Sequence, residues 1–233
     1  MPELAEVEYF RKQWNPGIGR RVSGVHVNPQ ARVFRDCDAG EVQAEHTGAT
    51  LRESFAHGKQ MVFRFSGGRW LGVHLGMAGK LECRTPAEGE LEKHDHLVLG
   101  QKGRALVFTD YRMFGRLRFF KGKGAPEWWR MLPPEVSEKG FTKKRVSDFL
   151  ARRSKSPVKA IVLDQDVFPG IGHWMADEIL WRIGVFPGRS GGKLTIAQSH
   201  ALWRATREVA RGALRTVGVD WSDPPKTWLF KHR

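Results

Sequence analysis

The chain has 233 residues, 40% of them hydrophobic, and carries 39 Lys and Arg against 25 Asp and Glu, a formal charge of +14. That length supports one large domain or two small ones, and so large a cationic surplus calls for a polyanionic partner, nucleic acid foremost. There is no apolar run long enough for a membrane span, and the acidic start at Glu3, Glu6 and Glu8 lacks the basic and apolar regions of a signal peptide, so an intracellular protein of cytoplasm or nucleoid is expected.

In chain order, Val7, Phe10 and Trp14 fall at i, i+3 and i+7 and predict a short amphipathic helix that ends at Asn15-Pro16-Gly17. From about Arg20 to Phe120 the pattern changes to short strands and turns. Met61 to Phe65, the turn Ser66-Gly67-Gly68 and Trp70 to Leu75 read as one hairpin. His96 to Leu99, the turn Gly100 to Gly103 and Ala105 to Thr109 read as a second. Lys121-Gly-Lys-Gly-Ala-Pro126 reads as a linker, and the helical periods of Val146, Phe149 and Leu150, of Ala176, Ile179, Leu180 and Ile183, and of Leu202, Ala205 and Val209 follow it. Thr195-x-x-Gln198 is a capping box before the last of these. The expectation is an α+β protein: a short helix and antiparallel β-sandwich over 1–120, a linker over 121–140 and an all-helical domain over 141–233. Lys121, Lys123, Lys139, Lys143, Lys144, Arg145, Arg152, Arg153, Lys155 and Lys159 form a density suited to a phosphate backbone, or else a solvated helix face.

The opening Pro2-Glu3-Leu4-Ala5-Glu6-Val7-Glu8 carries the first chemical signal. With Met1 removed, Pro2 presents a secondary α-amine; α-amines titrate near about 7.7–8.0, against about 10.4 for lysine, so a useful fraction is neutral and nucleophilic at physiological pH. The helix start lowers that value and Glu3 and Glu6 raise it; equally, proline and acids simply favour a helix N-terminus. Four further segments stand in order: Ala56-His57-Gly58-Lys59 at the start of a strand, His74-Leu75-Gly76-Met77, Asp110-Tyr111-Arg112-Met113-Phe114-Gly115, and Asp164 to Glu178 with its Pro169-Gly170-Ile171-Gly172-His173 turn. Lys93-His94-Asp95-His96 lies among them; with no third ligand placed by spacing, it is not read as a metal site.

Taken together, these segments resemble the formamidopyrimidine-DNA glycosylase and endonuclease VIII family, helix-two-turn-helix DNA glycosylases with lyase activity. The resemblance implies that Pro2 attacks the sugar C1′ of a damaged nucleotide and forms a Schiff base, with β,δ-elimination, while Glu3 acts as acid and base. It implies that Lys59 holds a phosphate beside the lesion and that Met77, Arg112 and Phe114 fill the void left by an extruded nucleotide. It places His94 along the DNA backbone, Gly170, Gly172 and His173 against a phosphate, and Glu6 and Glu178 in support of the site. The sequence departs from the family's pattern at Ala5 and Tyr111 (proline), Met113 (often a second arginine) and His173 (asparagine). The stretch Gly218 to Lys226 is also short where members specific for 8-oxoguanine carry a longer loop.

Family members usually end in a four-cysteine zinc finger, and Trp228 to Arg233 stands roughly where it would begin. Cys37 and Cys83 form no such pattern, so no cofactor is expected from the residues present, and zinc only if a finger follows. The expected partner is double-stranded DNA with a damaged or abasic nucleotide, bound by a monomer across a basic cleft, with no membrane involved. The alternatives are a catalytically silent relative that binds damaged or abasic DNA, and a basic RNA-binding scaffold.

Overall fold

Helix α1 (Leu4–Gln13) divides its apolar residues between two cores: Leu4 and Ala5 are buried in one, Val7 and Phe10 in the other, which Trp14 beyond the helix end also joins. The computed structural model, which describes residues 1–85 and 91–232, forms two units, Met1–Pro2 with Val7–Met131 and Glu3–Glu6 with Leu132–Arg233.

The first unit holds two antiparallel four-stranded sheets. One runs β1 (Val22–Val27), β6 (Asp95–Gln101), β7 (Arg104–Thr109), β5 (Lys80–Arg84); the other runs β2 (Leu51–His57), β3 (Gln60–Phe65), β4 (Arg69–His74), β8 (Arg116–Lys121). Period-two alternation sends Met61, Phe63 and Phe65 of one sheet and Leu97, Leu99, Leu106 and Phe108 of the other into a shared core. Each fully buried phenylalanine there contributes about 1.5–3 kcal/mol. Both expected hairpins form. The β6–β7 turn is tighter than expected, because Gly100 and Gln101 stay in the strand and Gly103, at φ 74, closes the corner with Lys102.

Two local features depart from the sequence reading. Within the stretch read as strands lies helix α2 (Ala39–His46), started by Asp38, whose carboxylate accepts from Glu41 N at 2.7 Å, and burying Ala39, Val42 and His46 along one face. Residues 121–140, expected as a linker, are shared between the units: α3 (Glu127–Arg130) belongs to the first, and fully buried Val136 joins the helical core.

The second unit contains α4 (Lys143–Arg152), α5 (Val158–Val162), α6 (His173–Arg182), α7 (Ile196–Arg215) and α8 (Val217–Asp220). The capping box at α7 forms as read, with Thr195 and Gln198 exchanging backbone and side-chain bonds at 3.1 Å each. Between α5 and α6, Gln165 clamps the connecting turn: its Oε1 accepts from Gly170 N at 3.1 Å, and its Nε2 donates to Leu163 O and Ile171 O at 2.7 and 2.9 Å. Gly170 sits at φ 85, a conformation that favours glycine. Among the described residues, no helix is long and apolar enough to cross a membrane.

Candidate active site

In the helical unit, the first residues of the chain meet the start of α6. Glu3 is 3% exposed, and its carboxylate takes the backbone N–H groups that a helix N-terminus leaves unpaired. Oε2 accepts from Gly172 at 2.9 Å and Met175 at 3.2 Å, while Oε1 accepts from Trp174 at 3.0 Å. Gly172 is required by contact rather than by its backbone angles, since a Cβ there would lie 2.3 Å from Glu3 Cδ. Leu4 N donates to Gly170 O at 3.0 Å, and Glu3 N donates to Glu6 Oε2 at 2.5 Å, so both glycines and Glu6 fix the backbone that carries Glu3. Burial is the largest influence on Glu3 and lifts its pKa to about 7 in spite of the Trp174, Met175 and Gly172 donors, with Glu6 adding to the rise.

His173, first residue of α6, is exposed with its ring outside this bond network. Glu178 is fully buried but turned elsewhere: Oε1 accepts from Arg182 Nε at 2.7 Å and Oε2 from Leu229 N at 2.6 Å, so it fastens the C-terminal segment to α6. Of the cations singled out in this unit, several are engaged: Lys144 with Asp148 at 2.7 Å, Lys159 with Asp177 at 2.6 Å and Arg153 with Asp164 at 3.7 Å.

In the β unit, Lys59 occupies the two-residue turn between β2 and β3 rather than a strand, beside Gly58 at φ 57, and is 8% exposed. It lies near His74 at the end of β4, whose pKa is pushed down to about 4 by burial first and then by Arg116, Lys59, Arg118 and Arg35. Two of those cations, Arg116 and Arg118, also pair with Asp36 at 3.0 and 3.6 Å. His74 Nδ1 accepts from Gly76 N at 3.1 Å, which turns the following loop.

That loop meets the loop 110–115. Gly76 is at φ 61, and a Cβ there would fall 2.4 Å from the Phe114 carbonyl carbon. Fully buried Asp110 shapes the second loop, accepting from Arg112 N at 3.1 Å and Gly115 N at 2.6 Å, and Arg35 donates to Gly115 O at 2.6 Å. The result is a rigid base with exposed tips: Met77 is 46% and Phe114 44% exposed, and the Arg112 guanidinium lies 5.1 Å from the Phe114 ring centroid. His94 braces the same loop through its carbonyl, which accepts from Asp110 N at 3.2 Å.

Residues 1–117 match the model of the formamidopyrimidine-DNA glycosylase N-terminal domain, and residues 132–223 match that family's H2TH domain. The chain belongs to the formamidopyrimidine-DNA glycosylase family. It is 35% identical to the formamidopyrimidine-DNA glycosylase of Alkalilimnicola ehrlichii and 36% identical to that of Halorhodospira halophila, over 96% of this chain and 82% of each relative. Its fold is similar to that of the Lactococcus lactis glycosylase bound non-covalently to DNA with an AP site, at TM-score 0.84 and 25% identity over 94% of this chain and 83% of that one. It is equally similar to the same enzyme with DNA containing an oxidised pyrimidine, at TM-score 0.86 and 25% identity, covering 97% and 85%.

As a member of this glycosylase family, the chain shows which residues sequence alone did not supply. Asp110, His74 and Gln165 stand inside the ordered segments, and their work is to bond backbone close by in sequence, which a motif does not reveal; Arg35 lies outside every segment and bonds the loop 110–115, far along the chain. For zinc, the chain holds only Cys37 and Cys83, which cannot supply four thiolates, and among the described residues no cluster of three or more His, Cys, Asp or Glu could hold a metal.

The raised Glu3 pKa has a testable sign. Between about 4.5 and 7 the folded protein keeps a proton that the unfolded chain releases, so its contribution is full below the unfolded value and is lost as pH rises through 7. Unfolding by urea from pH 4.5 to 8 is expected to show wild type losing up to roughly 3 kcal/mol relative to Glu3→Gln over this window. Parallel pH curves for the two proteins would count against a proton on Glu3.

Proposed function

We propose that this glycosylase removes damaged bases from duplex DNA and cuts the strand through an imine formed at Pro2. The observation that carries the reading is Glu3: a buried carboxylate, held by three backbone donors and poised near neutrality, on the residue bonded directly to Pro2. Once Met1 is removed, the Pro2 nitrogen lone pair attacks C1′, the bond from C1′ to the base breaks, and the base leaves with a proton. The nitrogen gives up its proton and the C1′–O4′ bond opens, O4′ taking up a proton, to leave an iminium that acidifies C2′; loss of that proton expels the 3′ phosphate, a second elimination expels the 5′ phosphate, and water releases the sugar remnant from Pro2. Glu3 exchanges protons with the sugar during these steps. Lys59 provides positive potential for the phosphate beside the lesion, neutral His74, whose Nδ1 accepts from Gly76, keeps its Nε2–H as a donor there, and Met77, Arg112 and Phe114 occupy the space that an extruded nucleotide vacates. Exposed His173 at the start of α6 contacts the DNA backbone, buried Gly170 and Gly172 shape the turn that carries it, and His94 runs alongside the backbone.

Formamidopyrimidines and oxidised pyrimidines are the substrates this reading favours. The Lactococcus lactis relative has been captured with DNA carrying Fapy-dG and with DNA carrying an oxidised pyrimidine, and the wedge set is complete here. An enzyme acting on genomic DNA works inside the cell, in cytoplasm or nucleoid.

The test is single-turnover cleavage of a duplex with one formamidopyrimidine. Wild type is expected to leave phosphates at both ends of the gap, and Lys59→Ala to react about 100-fold more slowly. Unchanged cleavage by Lys59→Ala would remove Lys59 from the site. Tight duplex binding with no base release by wild type would be the behaviour of a catalytically silent relative.

A further inference from the structure

The outer face of the sheet β2-β3-β4-β8 has a composition that the duplex chemistry does not explain. Cross-strand register puts Phe55, Arg64, Arg118 and Phe120 on one side, around buried Val62 and Trp70, opposite to Met61, Phe63, Leu71 and Leu117 of the core. A solvated sheet face ordinarily carries small polar and β-branched residues. Here Phe55 and Phe120 are 43% and 40% exposed.

Aromatic rings continue the face. Trp128 of α3 lies over Gly72, where a Cβ would come within 2.7 Å of the indole, and the Arg118 guanidinium stacks 4.8 Å from the same ring. Trp129 meets Trp128 edge-on at 5.8 Å and His57 at 5.9 Å. At one end, Arg52, Arg64, Lys121 and Lys123 border a concavity of about 610 Å³. Arg64 and Lys121 are held by Glu53 and Glu45 at 2.6 and 2.9 Å, whereas exposed Arg52 and Lys123 join no ion pair among the described residues.

Cations alone would suit any polyanion. Exposed rings interleaved with cations suit one whose bases are open, because a duplex hides the base faces that rings stack on. We propose that this face binds single-stranded DNA, with bases stacked on Phe55, Phe120 and the Trp128–Trp129 pair and phosphates drawn to Arg52 and Lys123. DNA rather than RNA is the polymer on which this family acts. Such a face would hold the unpaired strand of a bubble or fork while the lesion site engages duplex.

Fluorescence anisotropy of a labelled oligothymidine of about 20 nucleotides with the full chain tests this, since thymidine runs form no duplex of their own. The double variants Phe55→Ser with Phe120→Ser, and Arg52→Glu with Lys123→Glu, are each expected to weaken oligothymidine binding at least about fivefold, the second also flattening the salt dependence. Borohydride trapping on an abasic duplex is expected to stay at the wild-type level in both; that readout also shows the variants are folded and keeps the claim separate from the Pro2 chemistry. Wild-type oligothymidine affinity in both variants would overturn the proposal. So would its full displacement by lesion duplex, which would place the single strand in the duplex site, or tighter binding of an equal-length oligouridine, which would make RNA the ligand.

Discussion

Gly172→Ala is expected to lower base excision by roughly 10²–10⁴-fold, the range set by losing a positioned acid and base, although the variant adds only one methyl group. That methyl would sit 2.3 Å from Glu3 Cδ and 2.4 Å from Glu3 Oε1. The carboxylate must therefore leave the N-terminus of α6, and the N–H groups of Gly172, Trp174 and Met175 lose a buried acceptor. An unpaired buried group costs about 1–3 kcal/mol, so a drop in stability of roughly 2–4 kcal/mol is expected alongside. Thermal unfolding and single-turnover excision on the same preparation check both. Full activity in Gly172→Ala would mean that Glu3 works from some other position.

Asp110→Ala is the second large expected effect, and it acts through aim. The carboxylate satisfies Arg112 N and Gly115 N, and Gly115 lies so close that a Cβ would come 2.8 Å from Asp110 Oδ2. Without it, the tips that carry Arg112 and Phe114 lose their fixed base, and a displacement of about 1 Å is enough to cost about 100-fold in rate. The effect should be selective: excision of a damaged base, which requires the nucleotide to be extruded and its space filled, falls far more than cleavage at a preformed abasic site. Asp110→Asn keeps one acceptor and is expected to fall between. Equal losses on both substrates would assign Asp110 to general stability.

The sandwich and the helical periods were legible because alternation and 3.6-residue spacing report directly on which side of an element is buried; Met61, Phe63 and Phe65, and likewise Val146, Phe149 and Leu150, announce their faces. Helix α2 was not, since three buried residues in an eight-residue helix give too short a period to outweigh the strands around it. The chemical residues were legible as ordered motifs, but their geometry was not. Sequence offers Glu3 as an acid near a helix start; it does not say that the helix it caps begins at His173. Arg35 illustrates the same limit, because a side chain bonded to the backbone carbonyls of a distant loop leaves no spacing to detect.

The most direct test of the central claim is to reduce the complex with a single-abasic-site duplex using borohydride, digest the adduct with trypsin and locate the sugar by mass spectrometry. The account predicts a chain that has lost Met1 and a sugar remnant on the Pro2 nitrogen of the peptide ending at Arg11. A remnant on Lys59 or another lysine, or no adduct from a Met1-free chain that binds the duplex, would contradict it.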